Sequence, residues 1–392
     1  MTSTTSTLEP GQHGIRAHSD GAFVPVQTRS ARFASTEVAD FEAVTGTEAV
    51  WKLTPVRKLG ALLDGDLDGS AYPVSTEAGD GIVIDWIGRD DARIGSAGVP
   101  EERGSANAWS GFEQALAITV SGEGRQATVL RTELGSGPRA AHTVITAEPH
   151  STGLVILENR GSAALTENVE IVVGDGAQLT VVSVQDWADD ALHLASHFAV
   201  IGRDAKLKHV VVSFGGEVVR VNPTGHLSAE GGDVELLGLY FADAGQHLEQ
   251  QVYVDHDAPH TRSRVNYKGA LQGEGARTVW IGDVLIRQSA TATDSYEQNR
   301  NLVLSDGTRA DSIPNLEIET GDIAGAGHAS ATGRFDDEQL FYLQARGISE
   351  EEARRLVVLG FLAEIVQQIG APELEQRLLD AIEAELGTAQ DA

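Results

Sequence analysis

The sequence predicts a mainly β protein, with a β-solenoid core and helical regions at both ends. Three observations carry this. From about residue 75 to 333, short apolar or alternating runs recur between Gly, Asp or Asn residues, as in Gly81–Trp86, Gly153–Leu157, Val169–Val173 and Val252–Val254. That is the grammar of strands. No stretch in this range has the length and 3.6-residue period of a crossover helix, which argues against a βαβ protein. Similar runs also restart at Ala177, Ala205, Asp233 and Thr261, each 28 residues after the last. Second strand-like runs, such as His197–Ile201, lie between them, so each period reads as two strands and two turns. A β-sandwich also has evenly spaced strands. The constant interval favours stacked rungs that share one core.

The elements follow in order. Residues 1–35 are rich in Ser, Thr and Gly with little periodicity, and read as a mobile N-terminal arm. Residues 36–75 carry short helical patterns, with Val38, Phe41 and Val44 on one face and Trp51, Leu53, Leu59 and Leu62 following. Residues 76–333 form the β-helix core, whose later turns near Gly273 and Asp306 drift out of the 28-residue register. Residues 334–392 are helical. Asp336 is a candidate N-cap, Gly347 suits a C′ position, and Ser349-Glu-Glu-Glu352 reads as a capping box. Pro372 opens the last helix, whose stripe of Leu374, Leu378, Ile382 and Leu386 needs a surface. So small a tail is no comfortable domain of its own. Its stripe belongs either on a solenoid end or on a partner protein.

Charge and composition narrow the function. Lys and Arg number 29 against 58 Asp and Glu, a formal net charge of −29. This argues against nucleic-acid binding and against docking on an anionic membrane. The N-terminus lacks the charged start and apolar stretch of a signal peptide. The apolar run Leu356–Ala363 is far short of a membrane span. A cytoplasmic protein is expected. Cysteine is absent, so the chain alone supplies no disulfide, thiolate nucleophile or all-cysteine iron–sulfur site.

Few motifs carry chemistry. No Gly-Lys dipeptide occurs, which excludes a Walker A loop, and there is no Gly-x-Ser-x-Gly elbow. The Gly-x-Gly steps read as turns. Asp255-His256-Asp257 with His260 has metal-like residue types, but solvated turn residues look the same. His193 and His197 lie in strand-like sequence and read as ordinary. Acidic pairs such as Asp189-Asp190 and Asp336-Asp337 admit a β-helix carbohydrate-active enzyme with clustered carboxylates, although pairs arise by chance in so acidic a chain. His328 stands among small residues in Gly325–Gly333, between the last strand-like run and the first C-terminal helix. A neutral imidazole there suits iron or another borderline metal; residue chemistry alone favours an inert histidine in a flexible junction.

The C-terminal third then becomes recognisable. Tyr267–Leu271, Thr293–Asp306, Pro314–Glu319 and Gly327–Gly347 resemble the SufB/SufD family of iron–sulfur cluster assembly scaffolds. The similarity is dense over about residues 250–365. Within the family the Gln298-Asn-Arg-Asn-Leu302 run, the short N-terminal region and the lack of cysteine resemble the SufD branch. The resemblance implies a right-handed parallel β-helix with helical ends and no catalysis by the chain itself. It implies a heterodimer with SufB through the β-helices, and docking of the ATPase SufC on the C-terminal helices through Phe341, Tyr342, Leu343, Arg346, Gly347, Leu356 and Phe361. A homodimer of the isolated chain stays open. His328 matches the histidine implied to face a nascent iron–sulfur cluster shared with SufB. No cofactor is expected to bind the chain tightly alone. Some members carry a cysteine two residues earlier, where this chain has Ala326.

Overall fold

The computed structural model describes residues 32–132, 134–135, 137–334 and 337–388. All but the last four residues of the expected arm lie outside that range, as do Asp336 and any cap it would form. After two 3-10 turns, α1 (Gly60–Asp64) precedes β1 (Ser75–Ala78) and β2 (Ile82–Gly88), and α2 (Arg103–Gly111) follows. The first coil strands are β3 (Gln114–Val120), β4 (Arg125–Arg131), β5 (Pro138–Ala147), β6 (Thr152–Gly161), β7 (Ala164–Val173) and β8 (Gln178–Trp187). The middle ones are β9 (Leu192–Ile201), β10 (Lys206–Phe214), β11 (Val218–Leu227), β12 (Asp233–Ala242) and β13 (His247–His256). The last are β14 (Arg262–Leu271), β15 (Arg277–Ile286), β16 (Thr293–Val303), β17 (Arg309–Ile318) and β18 (Ile323–Arg334), before α3 (Asp337–Gln344), α4 (Glu350–Val366) and α5 (Pro372–Thr388).

Each coil strand pairs in parallel with the strand two further on, so odd and even strands build two separate nine-stranded sheets. This is a β-solenoid of about eight turns with two strands per turn. Register links Gln178 to Lys206, Lys206 to Asp233, Asp233 to Arg262 and Arg262 to Asp294. The rung is therefore 27 to 29 residues long in the middle and 32 at the last of these steps. That range accounts for both the 28-residue interval and its drift. The helix α2 falls inside the stretch expected to be all β-helix, and the parallel coils begin only at Gln114. Its cap explains the helix: the Glu102 carboxylate accepts from the backbone of Gly104 and Ser105.

Alternate residues of each strand fill the lumen, mostly small and branched: Leu165, Val169 and Ile171 on β7, Ala195 and Ala199 on β9, Val219 and Val221 on β11. Three interior glycines are exceptions with a steric cause. A Cβ at Gly238 would overlap Tyr267, one at Gly269 would overlap Tyr240, and one at Gly282 would overlap both Trp280 and the carboxylate of Glu297.

The outer faces of both sheets are covered. On the odd-numbered sheet, α2 buries Trp109, which packs with Phe112 against His142. On the even-numbered sheet, α4 and α5 bury Val358, Leu362, Ile365, Leu374, Leu378 and Ile382 against Val210, Val212, Leu237, Leu239 and Phe241. The C-terminal stripe thus lies on the solenoid flank and not on its end. Buried Lys268 locks it there, donating to the Phe361 carbonyl at 2.9 Å and pairing with Glu364 at 2.5 Å.

The two ends differ. At the start, β1 runs antiparallel to β4 and β2 antiparallel to β3, so the first strand of each sheet opposes the coils and has one strand neighbour. At the finish, the parallel strands β17 and β18 likewise each have one strand neighbour among the described residues.

Candidate functional site

The chemistry-bearing side chains sit in the lumen, in two places. One inward column runs Val181, His209, Leu236, Val265, Glu297 and His328 through successive rungs of the even-numbered sheet. His328 owes its place in that column to one residue. Thr293 pairs with Ile323, but Asp294 pairs with Gly325, so Ala324 is a bulge. Without it, parity along β18 would reverse and His328 would face outward.

His328 ends the column and its side chain is 45% exposed, whereas Glu297 directly beneath it is 0% exposed. His328 Nδ1 stands 3.8 Å from Glu297 Oε1. Neither oxygen of Glu297 makes a hydrogen bond of normal geometry among the described residues, although the Asn315 backbone N–H interacts with it weakly. Burial, with the nearby Asp283 charge adding to it, pushes this carboxyl up to about 8. Around the pair the open end is polar: Asn299 donates to the Tyr240 hydroxyl at 2.7 Å, and Asn301 donates to Asn299 at 2.7 Å.

The second place is closed. Arg131, buried in β4, donates to Glu167 at 2.7 Å, and His193 Nε2 lies 2.9 Å from the other Glu167 oxygen. Trp187 Nε1 donates to His193 Nδ1 at 3.2 Å, which puts the His193 proton on Nε2. Burial alone would raise the Glu167 carboxyl, but Arg131 and the His193 bond hold it well below the carboxylate range. One rung on, His197 Nδ1 and His209 Nε2 are 2.9 Å apart. Burial lowers both, His197 to about 4, so neither carries charge at neutral pH.

The structure disposes the other expected residues as follows. His256 turns inward and bonds Thr261 and Ser263, while Asp255 turns outward and pairs with Arg287 at 2.7 Å. They therefore lie on opposite faces of β13 and share no metal geometry. His193 and His197, read as ordinary, are buried members of the closed network. Glu297 was not singled out at all. A usable signal was that Thr293, Ser295, Glu297, Asn299 and Asn301 make one face of β16 polar as far as Val303, whichever face turns inward.

On the helices, Phe341 and Tyr342 are 72% and 54% exposed, and Arg346 stacks on Tyr342 at 4.1 Å from the ring centre. Leu356 is exposed and Leu343 half-buried. Gly347 ends α3 at φ 86°, with its amide donating to Gln344. Phe361 is partly buried, packing on the flank beneath Lys268.

The fold and site define a two-sheet β-solenoid with a polar last rung and an exposed aromatic patch on its appended helices. Comparison with known proteins gives the particular case. Residues 131–361 match the model of the SUF system FeS cluster assembly SufBD core domain. The chain is 47% identical over 379 residues to an iron–sulfur cluster assembly SufBD family protein of Mycobacterium leprae, covering 94% of this chain and 96% of that one. It is 51% identical over 369 residues to one of Mycobacterium bovis, covering 90% and 92%. A second SufBD family protein of Mycobacterium leprae is 28% identical over 201 residues, covering 51% of this chain and 23% of its own length. The chain belongs to the SufBD family of iron–sulfur cluster assembly proteins. No helix among the described residues is long and apolar enough to cross a membrane.

Proposed function

We propose that this protein is the SufD-type scaffold subunit of a cytoplasmic SUF machine, without catalysis of its own. It pairs with SufB through the open end of the solenoid, receives SufC on its C-terminal helices, and presents His328 to a nascent cluster shared with SufB. The observation that carries the reading is the open end itself. The terminal parallel strands β17 and β18, each with one strand neighbour among the described residues, stand beside a half-exposed imidazole and a buried carboxyl that makes no hydrogen bond of normal geometry. Edge strands invite pairing with another chain, and an unsatisfied buried group favours an interface that supplies its partner. That one bacterium carries two family members of different similarity to this chain suits a heteromeric pair. The exposed Phe341, Tyr342 and Leu356 give SufC an apolar patch of the kind that marks docking surfaces.

The cluster is cargo here. With no cysteine in the chain, thiolate and sulfide ligands come from SufB or from bound sulfide, and this subunit offers nitrogen. The test is His328→Ala in the co-expressed complex. Complex formation should persist while cluster content falls at least about tenfold, the scale of losing a site-defining group. Normal cluster content in a fully assembled mutant complex would refute the role of His328.

A further inference from the structure

The open end holds one more group, to which the scaffold reading assigns no ligand role. Glu297 lies fully inside the lumen, one rung beneath His328, and neither of its oxygens makes a hydrogen bond of normal geometry among the described residues. A buried carboxyl in that state is costly and needs a reason to persist. Its seat is built: Gly282, across the lumen on β15, leaves the space the carboxylate occupies, and any Cβ there would collide with it. Its aim is also set. Ala324 turns His328 onto the same column, and the Nδ1 to Oε1 separation is 3.8 Å. Two ligand atoms each about 2.1 Å from one metal ion at a tetrahedral angle stand about 3.4 Å apart. Closure by about 0.4 Å would thus bring both to one ion.

We infer that Glu297 and His328 form a two-ligand half-site for a ferrous ion, loaded on this subunit before a partner completes the coordination. Imidazole and carboxylate together suit Fe2+. The bound ion would supply the positive charge that Glu297 lacks, and the imidazole would bind through Nδ1 with its proton on Nε2, towards the open end. Among the described residues no third His, Cys, Asp or Glu joins the pair, so the remaining positions stay open to a partner chain. The inference rests on the scaffold reading for its location and extends it to a named metal and a second ligand.

The test is anaerobic equilibrium dialysis of Fe2+ against the purified full chain. Millimolar Mg2+ is included to occupy the many surface carboxylates, which prefer hard cations on weak sites. The wild type should bind one equivalent above that background. Glu297→Gln, nearly isosteric, and His328→Ala should each weaken binding by at least about tenfold, with unchanged circular dichroism. Wild-type affinity in Glu297→Gln would overturn the half-site, as would absence of any stoichiometric binding in the wild type. Cluster content of the assembled complex separates the two claims. If His328→Ala loses clusters while neither variant changes Fe2+ binding, the half-site fails and the scaffold reading stands.

Discussion

Two glutamates occupy the same lumen and live in opposite conditions. Glu167, in the closed stretch, is met by Arg131 at 2.7 Å and His193 at 2.9 Å, and is held ionised far below the usual range. Glu297, at the open end, is as deeply buried, makes no hydrogen bond of normal geometry among the described residues, and is pushed up to about 8. The closed site satisfies its own charge because nothing else will reach it. The open site leaves its polar group incomplete where another chain or an ion can arrive. A group kept at a cost to stability marks function more often than packing does.

The sharpest way to break this comparison is one substitution made at both positions. Glu167→Gln would leave the Arg131 guanidinium buried without a counter-charge, and should destabilise the fold by about 3–5 kcal/mol in urea unfolding at pH 7. A loss below about 1 kcal/mol would mean that the closed network is not electrostatically coupled.

The next effect probes the closed stretch by pH. The folded His197 value, about 4, lies below the 6.5 of an ordinary histidine. The unfolded chain therefore binds more protons in between, and stability complete above pH 6.5 is lost as pH falls towards 4. For this group the loss is on the order of 3 kcal/mol by pH 4. Its neighbour His209 is lowered for the same reason and adds to the trend. Unfolding of wild type and His197→Gln between pH 7.5 and 4.5 checks it, and an equally steep acid loss in the variant would contradict the assignment.

Glu297→Gln should act in the reverse sense to Glu167→Gln. The folded Glu297 value is raised, so its contribution is fully present below the unfolded 4.5 and lost as pH rises through about 8. Gln does not titrate. The variant should gain about 1–3 kcal/mol over wild type at pH 7 to 8, with the gap closing near pH 4.5. Destabilisation at pH 8 would show that the wild-type carboxylate has a partner and would erase the contrast.

Much of the architecture was legible in the chain. The recurring runs and the 28-residue interval corresponded to real rungs, because stacked coils need the same turn chemistry at the same step. The N-cap at Ser349 also reads directly, its hydroxyl accepting the Glu352 amide at 3.2 Å, while the Glu352 carboxylate turns to Arg355 and not back to complete the expected box. The short helix α2 was not legible, since nine residues leave little periodicity and its stability comes from packing on His142. The stripe on α5 showed that a surface was needed without saying which one.

What the sequence by itself determined is therefore local and periodic: strands, turns, caps, an acidic surface, a chain without thiolates, and a histidine among small residues. What only the tertiary structure decided is who meets whom across the rungs. Glu297 and His328 are 31 positions apart, and one bulged alanine decides whether they share a column or face apart. A strand's side-chain period is two, so a single extra residue reverses every side chain beyond it. Periodicity in a sequence has no means of marking that residue, because the register is settled by the neighbouring strand.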